Sequence, residues 1–166
     1  DYVYRNQPSG ISGFGRFIDF LYLQSIGWRG IRQRKVHAEE LLKLVIEQLN
    51  QAGKPVNIVD IAAGHGRYIL EEISHFNKLP DSVLLRDYSD INVRDGQALI
   101  VAKGLGNIAR FEKGDAFNKE QLAALDPKPT LAVVSGLYEL FGDNELISDS
   151  LAGLAESMEE GSYLVY

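Results

Sequence analysis

An aspartate, two small residues and a glycine pair, in Asp60-Ile61-Ala62-Ala63-Gly64-His65-Gly66, form the stretch of this chain best suited to chemistry. An apolar, β-branched run over 56–61 leads into it, and 67–76 reads as a helix. Small side chains in a strand-to-helix turn let a ligand approach the main chain without a Cβ in the way, and glycine also permits positive φ. The free amides of the following helix add a partly positive end. A dinucleotide site of this kind wants a third glycine three residues on, where this chain has Ile69. No tyrosine stands four residues before a lysine, the proton-transfer pair of short-chain dehydrogenases, so nicotinamide chemistry is disfavoured.

Further residues recur at the ends of later apolar runs: Asp87, 21 residues past Gly66, then Asp115, then Ser135-Gly136. Each acid equally suits a helix cap or a turn. Taken in order, however, the stretch Asp60–Gly66 resembles the first motif of the class I S-adenosylmethionine-dependent methyltransferases, an acid followed by G-x-G-x-G, with Ala62 at the first glycine. The resemblance covers about 54–166 and implies S-adenosyl-L-methionine as cofactor. It implies that Asp60 organises the loop and the methionine ammonium, and that Ala62, Ala63, Gly64 and Gly66 offer close main chain. Asp87 would hold both ribose hydroxyls, because a carboxylate accepts two hydrogen bonds side by side. Tyr88 would lie against the adenine, Asp115 would accept from its amino group, and Ala116 and Phe117 would border the ring. Ser135 and Gly136 would form the wall beside the reacting methyl.

The implied activity is methyl transfer to a small molecule or metabolite. The alternatives are a non-catalytic nucleoside- or partner-binding protein of the same fold, and an aminopropyl-transfer enzyme. Tyr138, Glu139 and His37 are candidate bases by position, each with a structural role as the alternative. His65 either shapes the cradle or points to solvent.

The elements that must position these residues alternate. Strands are expected at 56–61, 82–87, 108–112, 130–135 and 162–166, with helices at 67–76 (closed by Asn77 and Pro80), 91–103, about 118–126, and from the cap Asp143 to about Met158. That alternation predicts an α/β fold with a mostly parallel sheet covered on both faces. The resemblance supplies a three-layer Rossmann-like sandwich of strand order 3-2-1-4-5. It also implies two more strands, expected beyond the end of the given chain. Residues 1–53 read as an N-terminal helical cap segment and 54–166 as the cofactor-binding core. In the cap, a loose lead-in to Gly10 precedes a greasy helix near 14–25. A basic loop carrying Arg29, Arg32, Arg34 and Lys35 follows, then an amphipathic helix from Ala38.

A net charge of −6 and a pI near 5.1 argue against a general nucleic-acid binder. Residues 1–37 nevertheless carry six cations against two acids, leaving the acidic excess on the rest. The basic residues could be solvated, clamp the cofactor's carboxylate or meet an anionic substrate. Contact of the N-terminal helix with a membrane surface is a further option. The absence of cysteine excludes disulfides and thiolate chemistry, and His37, His65 and His75 make no familiar metal spacing. No apolar run approaches the roughly 20 residues of a membrane span, and the expected location is cytoplasmic.

Overall fold

The computed structural model describes residues 2–76 and 78–166, so the expected helix stop at Asn77 lies outside the described residues. Five strands, β1 (Asn57–Ile61), β2 (Ser82–Asp87), β3 (Ala109–Lys113), β4 (Leu131–Val133) and β5 (Tyr163–Val165), form one sheet. Every pairing is parallel and the order is β3-β2-β1-β4-β5, as expected for this α/β class. Residues 41–51 of the long helix α3 (Ile26–Gln51) supply one covering surface, together with α4 (Arg67–Ile73) and α5 (Asp90–Ala102). The opposite face carries α6 (Lys119–Ala123) and α7 (Asn144–Ser157).

Strand alternation assigns side chains to these faces. Ile58, Val83, Leu85, Phe111, Leu131 and Val133 enter the α3–α4–α5 layer, whereas Val59, Ile61, Leu84 and Ala132 enter the α6–α7 layer. Because both faces are covered, the central strands read as continuous apolar runs. The polar exceptions Asp60, Arg86 and Asp87 are nonetheless buried, all at or near strand exits.

By packing, the chain divides into the compact units Asp1–Glu40 and Leu41–Tyr166, with the division inside α3. The expected lead-in loop contains a short helix, α1 (Tyr2–Arg5), and α2 spans Gly13–Leu23. Ser12 caps α2, accepting from the Gly15 amide at 3.0 Å, and Asp19 accepts from the Ser9 amide at 2.6 Å. The expected basic loop is a correction: Arg29, Arg32, Arg34 and Lys35 lie inside α3. Gly27 and Gly30 cost a helix about 1 kcal/mol each, but Arg29 between them and Arg32, Gln33, Arg34 and Lys35 after them are good helix formers and no proline interrupts the stretch. On α2, Phe14, Phe17, Phe20, Leu21 and Tyr22 are exposed and only Leu23 is buried. No helix among the described residues is long and apolar enough to cross a membrane.

Candidate active site

The turn after β1 alternates in backbone sign. Ala62, Gly64 and Gly66 have φ of 57°, 58° and 64°, all left-handed. This alternation is the local reason for small residues at the first, third and fifth positions of the motif. Gly64 has open space where a Cβ would be, so its requirement is conformational. At Gly66 a Cβ would also run into the Leu85 side chain of β2, so this glycine seats α4 against the sheet. Ala62 adopts the same backbone as the glycines while carrying a methyl group, a strained arrangement at the site.

Asp87, rather than Asp60, ties this turn. Asp87 Oδ2 accepts from the Gly64 amide at 2.8 Å, and Oδ1 accepts from the Ser89 amide at 2.9 Å and from Asn92 Nδ2 at 3.0 Å. The acid at the end of β2 thus joins the β1 turn to the start of α5. Asp60 instead sits beneath the surface, 1% exposed, with Tyr68 of α4 donating its hydroxyl to Oδ1 at 2.8 Å. Its Oδ2 is buried without a hydrogen-bond partner among the described residues. Burial pushes its pKa up to about 8, Tyr68 opposes the shift and the Asp87 charge adds to it. Asp60 is therefore largely a neutral acid near pH 7.

Asp87 and Asp115 do meet at one hollow. A cavity of about 420 Å³ beyond the carboxyl ends of β1, β2 and β3 is lined by Ala62, Asp87, Tyr88, Gly114 to Phe117, Leu137, Leu140 and Phe141. Asp115 Oδ1 accepts from the Phe117 amide at 2.9 Å, which turns the chain after β3 and brings Ala116 and Phe117 to the wall. Phe117 meets Phe141 edge-on, with ring centroids 4.7 Å apart. Tyr88 is 76% exposed at the rim with Lys113 Nζ 5.7 Å from its ring centroid, and Lys113 pairs with Asp90 at 2.9 Å. Asp60, Ala63, Gly64, Gly66, Ser135 and Gly136 do not line this cavity. The sequence reading missed Leu137, Leu140 and Phe141. Their only signal was an apolar stretch after β4, which resembles core until the chain is folded over the strand ends.

None of the three candidate bases is among the residues lining this cavity. Tyr138 hydroxyl is 2.9 Å from Ser150 Oγ of α7, and burial raises its pKa, which opposes deprotonation. Glu139 is exposed in the 3₁₀ turn Tyr138–Leu140. His37 is exposed on α3 in the first unit, 2.8 Å from Gln33 Nε2. His65 faces Asp95 of α5 across 3.8 Å and is substantially exposed. Among the described residues no group of three or more His, Cys, Asp or Glu could hold a metal.

Comparison with known proteins gives the fold a family. The family described as "Putative methyltransferase" matches residues 1–166. "Uncharacterized protein YnbC" of Escherichia coli K12 is 55% identical over all of this chain, which spans 28% of that relative's length. Among solved structures, a "possible exported protein" of Bordetella parapertussis superposes with a TM-score of 0.71 at 14% identity, over 98% of this chain and 50% of its own. A methyltransferase of Geobacter sulfurreducens, solved in complex with S-adenosylhomocysteine, superposes with a TM-score of 0.56 at 16% identity, over 80% of this chain and 46% of its own. With its full length matched by that family and its sheet ordered as in class I S-adenosylmethionine-dependent methyltransferases, the chain belongs to the putative methyltransferase family.

Proposed function

We propose that this chain is the cofactor-binding part of an S-adenosylmethionine-dependent methyltransferase acting on a small-molecule or metabolite acceptor. One observation carries the reading: Asp87 and Asp115, from the exits of two neighbouring strands, share one cavity with Ala62 and Gly114, in a chain whose family is methyltransferase. The volume, about 420 Å³, lies within the range of small-molecule sites. The Geobacter relative's complex with S-adenosylhomocysteine supports the choice of ligand. The division into a helical segment over 1–53 and a cofactor-binding segment over 54–166, and a cytoplasmic location, belong to the same proposal.

The donor and acceptor set suits an adenosyl group. A carboxylate offers about four acceptor positions, and three donors within the chain already occupy Asp87, so the remaining position on Oδ2 suits a single ribose hydroxyl rather than both. Asp115 Oδ2 would accept from the adenine amino group, with Ala116 and Phe117 against one side of the ring and Tyr88 at the rim. When bound, S-adenosylmethionine supplies a methyl group already activated for displacement. The chain's residues therefore have chiefly to orient the ligand and exclude water. The buried neutral carboxyl of Asp60 lies below the turn and holds its shape through Tyr68.

A second reading, ligand binding without transfer, draws on the engagement of Tyr138 with Ser150, which leaves that candidate base poorly placed to take a proton. Calorimetric titration of the full-length protein with S-adenosylhomocysteine should give a saturable heat. No heat, alongside clear NADH binding, would overturn both readings. Saturable binding with no transfer of labelled methyl to any of a metabolite panel would favour the second.

A further inference from the structure

Arg86 is a buried cation that the site described so far does not use. It stands on β2 next to Asp87, points into the α6–α7 layer with Leu84, and is 6% exposed. Its Nη2 donates to Gln121 Oε1 of α6 at 2.8 Å, while Nε and Nη1 are buried without partners among the described residues. Leaving two donors unpaired in the interior is costly. A methionine of similar volume would serve packing alone equally well or better.

The location gives the cost a purpose. Register pairs Arg86 with Glu112 of β3, so both side chains leave the sheet on the same face. The guanidinium then runs along the main chain just past β3. At Gly114 a Cβ would meet its Nε, Cζ and Nη2, so a side chain there would displace the guanidinium. Gly114 begins the cavity wall that continues through Asp115, Ala116 and Phe117. The negative charges of Glu112 and Asp115 both favour the charged guanidinium, against its burial.

We propose that Arg86 is a positioning residue for the adenine end of the cavity: its guanidinium, wedged under Gly114 and attracted to Asp115, sets where the 114–117 wall stands and how the Asp115 carboxylate presents itself. This rests on the adenosyl reading of the cavity. The orientation of Asp115 should then control discrimination between an adenine, whose amino group donates, and a hypoxanthine, which carries a carbonyl oxygen at that position. Arg86 touches neither base and acts through the wall.

Calorimetry of the full-length protein with S-adenosylhomocysteine and with its deaminated analogue, S-inosylhomocysteine, tests this. The unsubstituted protein should prefer the adenosyl ligand at least about tenfold, the value of one lost hydrogen bond to a charged acceptor. Arg86→Met should fold with an unchanged or higher melting temperature, bind S-adenosylhomocysteine more weakly, and show a preference near one. If Arg86→Met does not fold, Gln121→Leu, which frees the guanidinium from outside the cavity, carries the same test and should lower the preference severalfold. A folded variant that keeps the full preference overturns the role of Arg86 while leaving the adenosyl reading intact. Failure of the unsubstituted protein to bind either ligand overturns both.

Discussion

At the scale of single residues, Asp60 and Asp87 part company: Asp87 lines the cavity and Asp60, expected at the methionine ammonium, is buried and does not line it. Asp87 is a structural tie and a cavity wall at once, because its carboxylate has more acceptor positions than the turn consumes. Asp87→Ala should weaken S-adenosylhomocysteine binding by about 1–3 kcal/mol. It should also lower the melting temperature, since three donors lose their acceptor; unchanged affinity would remove Asp87 from the site. Asp60 titrates high because burial penalises its charge. Its folded pKa, about 8, stands above that of the unfolded chain, so folding holds a proton that the unfolded chain has already released between pH 4 and 8. The contribution is fully present below the unfolded value and is lost as pH rises through that window, at up to about 1.4 kcal/mol per pH unit. Denaturant unfolding measured at pH 5 and pH 8 should therefore show a loss of stability at the higher pH that is much smaller in Asp60→Asn.

At the scale of elements, glycines carry two separate duties. Gly96, a poor helix former inside α5, is buried there, and any Cβ at that position would strike the Phe111 ring of β3. Gly96→Val should cost about 1–3 kcal/mol through overpacking, despite the better helix propensity, as read by chemical denaturation. Ala62 shows the converse. Its φ of 57° belongs to glycine, so Ala62→Gly should relieve about 1–2 kcal/mol of backbone penalty, offset by added freedom of the unfolded chain. The expected outcome is a small net gain in melting temperature; a fall would show that the methyl group's contacts outweigh the strain. The basic stretch inside α3 was misread for a related reason. Two glycines in eleven residues look like loop punctuation, yet each costs a helix only about 1 kcal/mol, and flanking helical turns tolerate them.

At the scale of the whole molecule, order is unevenly supported. The Leu41–Tyr166 unit has a sheet buried on both faces, whereas α2 in the Asp1–Glu40 unit buries only Leu23 of its apolar side chains. Local opening follows buried apolar packing. Amide hydrogen exchange should accordingly be slowest in β1, β2 and β4 and faster in α2 by orders of magnitude. Equal protection in α2 would mean that its exposed aromatic side chains are covered in solution.

The amino-acid sequence by itself determined the alternation of strands and helices, the parallel sheet and the acids at the strand exits, because these follow from periodicity and turn chemistry within short windows. It could not decide which acid faces the cavity and which lies beneath the turn. Asp60 stands one residue before the end of β1 and Asp87 ends β2, each in an apolar run, so periodicity alone does not separate them. Only the register between β1 and β2 and the packing of Tyr68 from α4 separate the buried neutral carboxyl from the one that lines the hollow. The burial of Arg86 under Gly114 likewise exists only once β3 lies alongside β2. Nearest neighbours in sequence set local form, but cavities and desolvation are made by residues far apart in the chain, and those contacts belong to the tertiary structure.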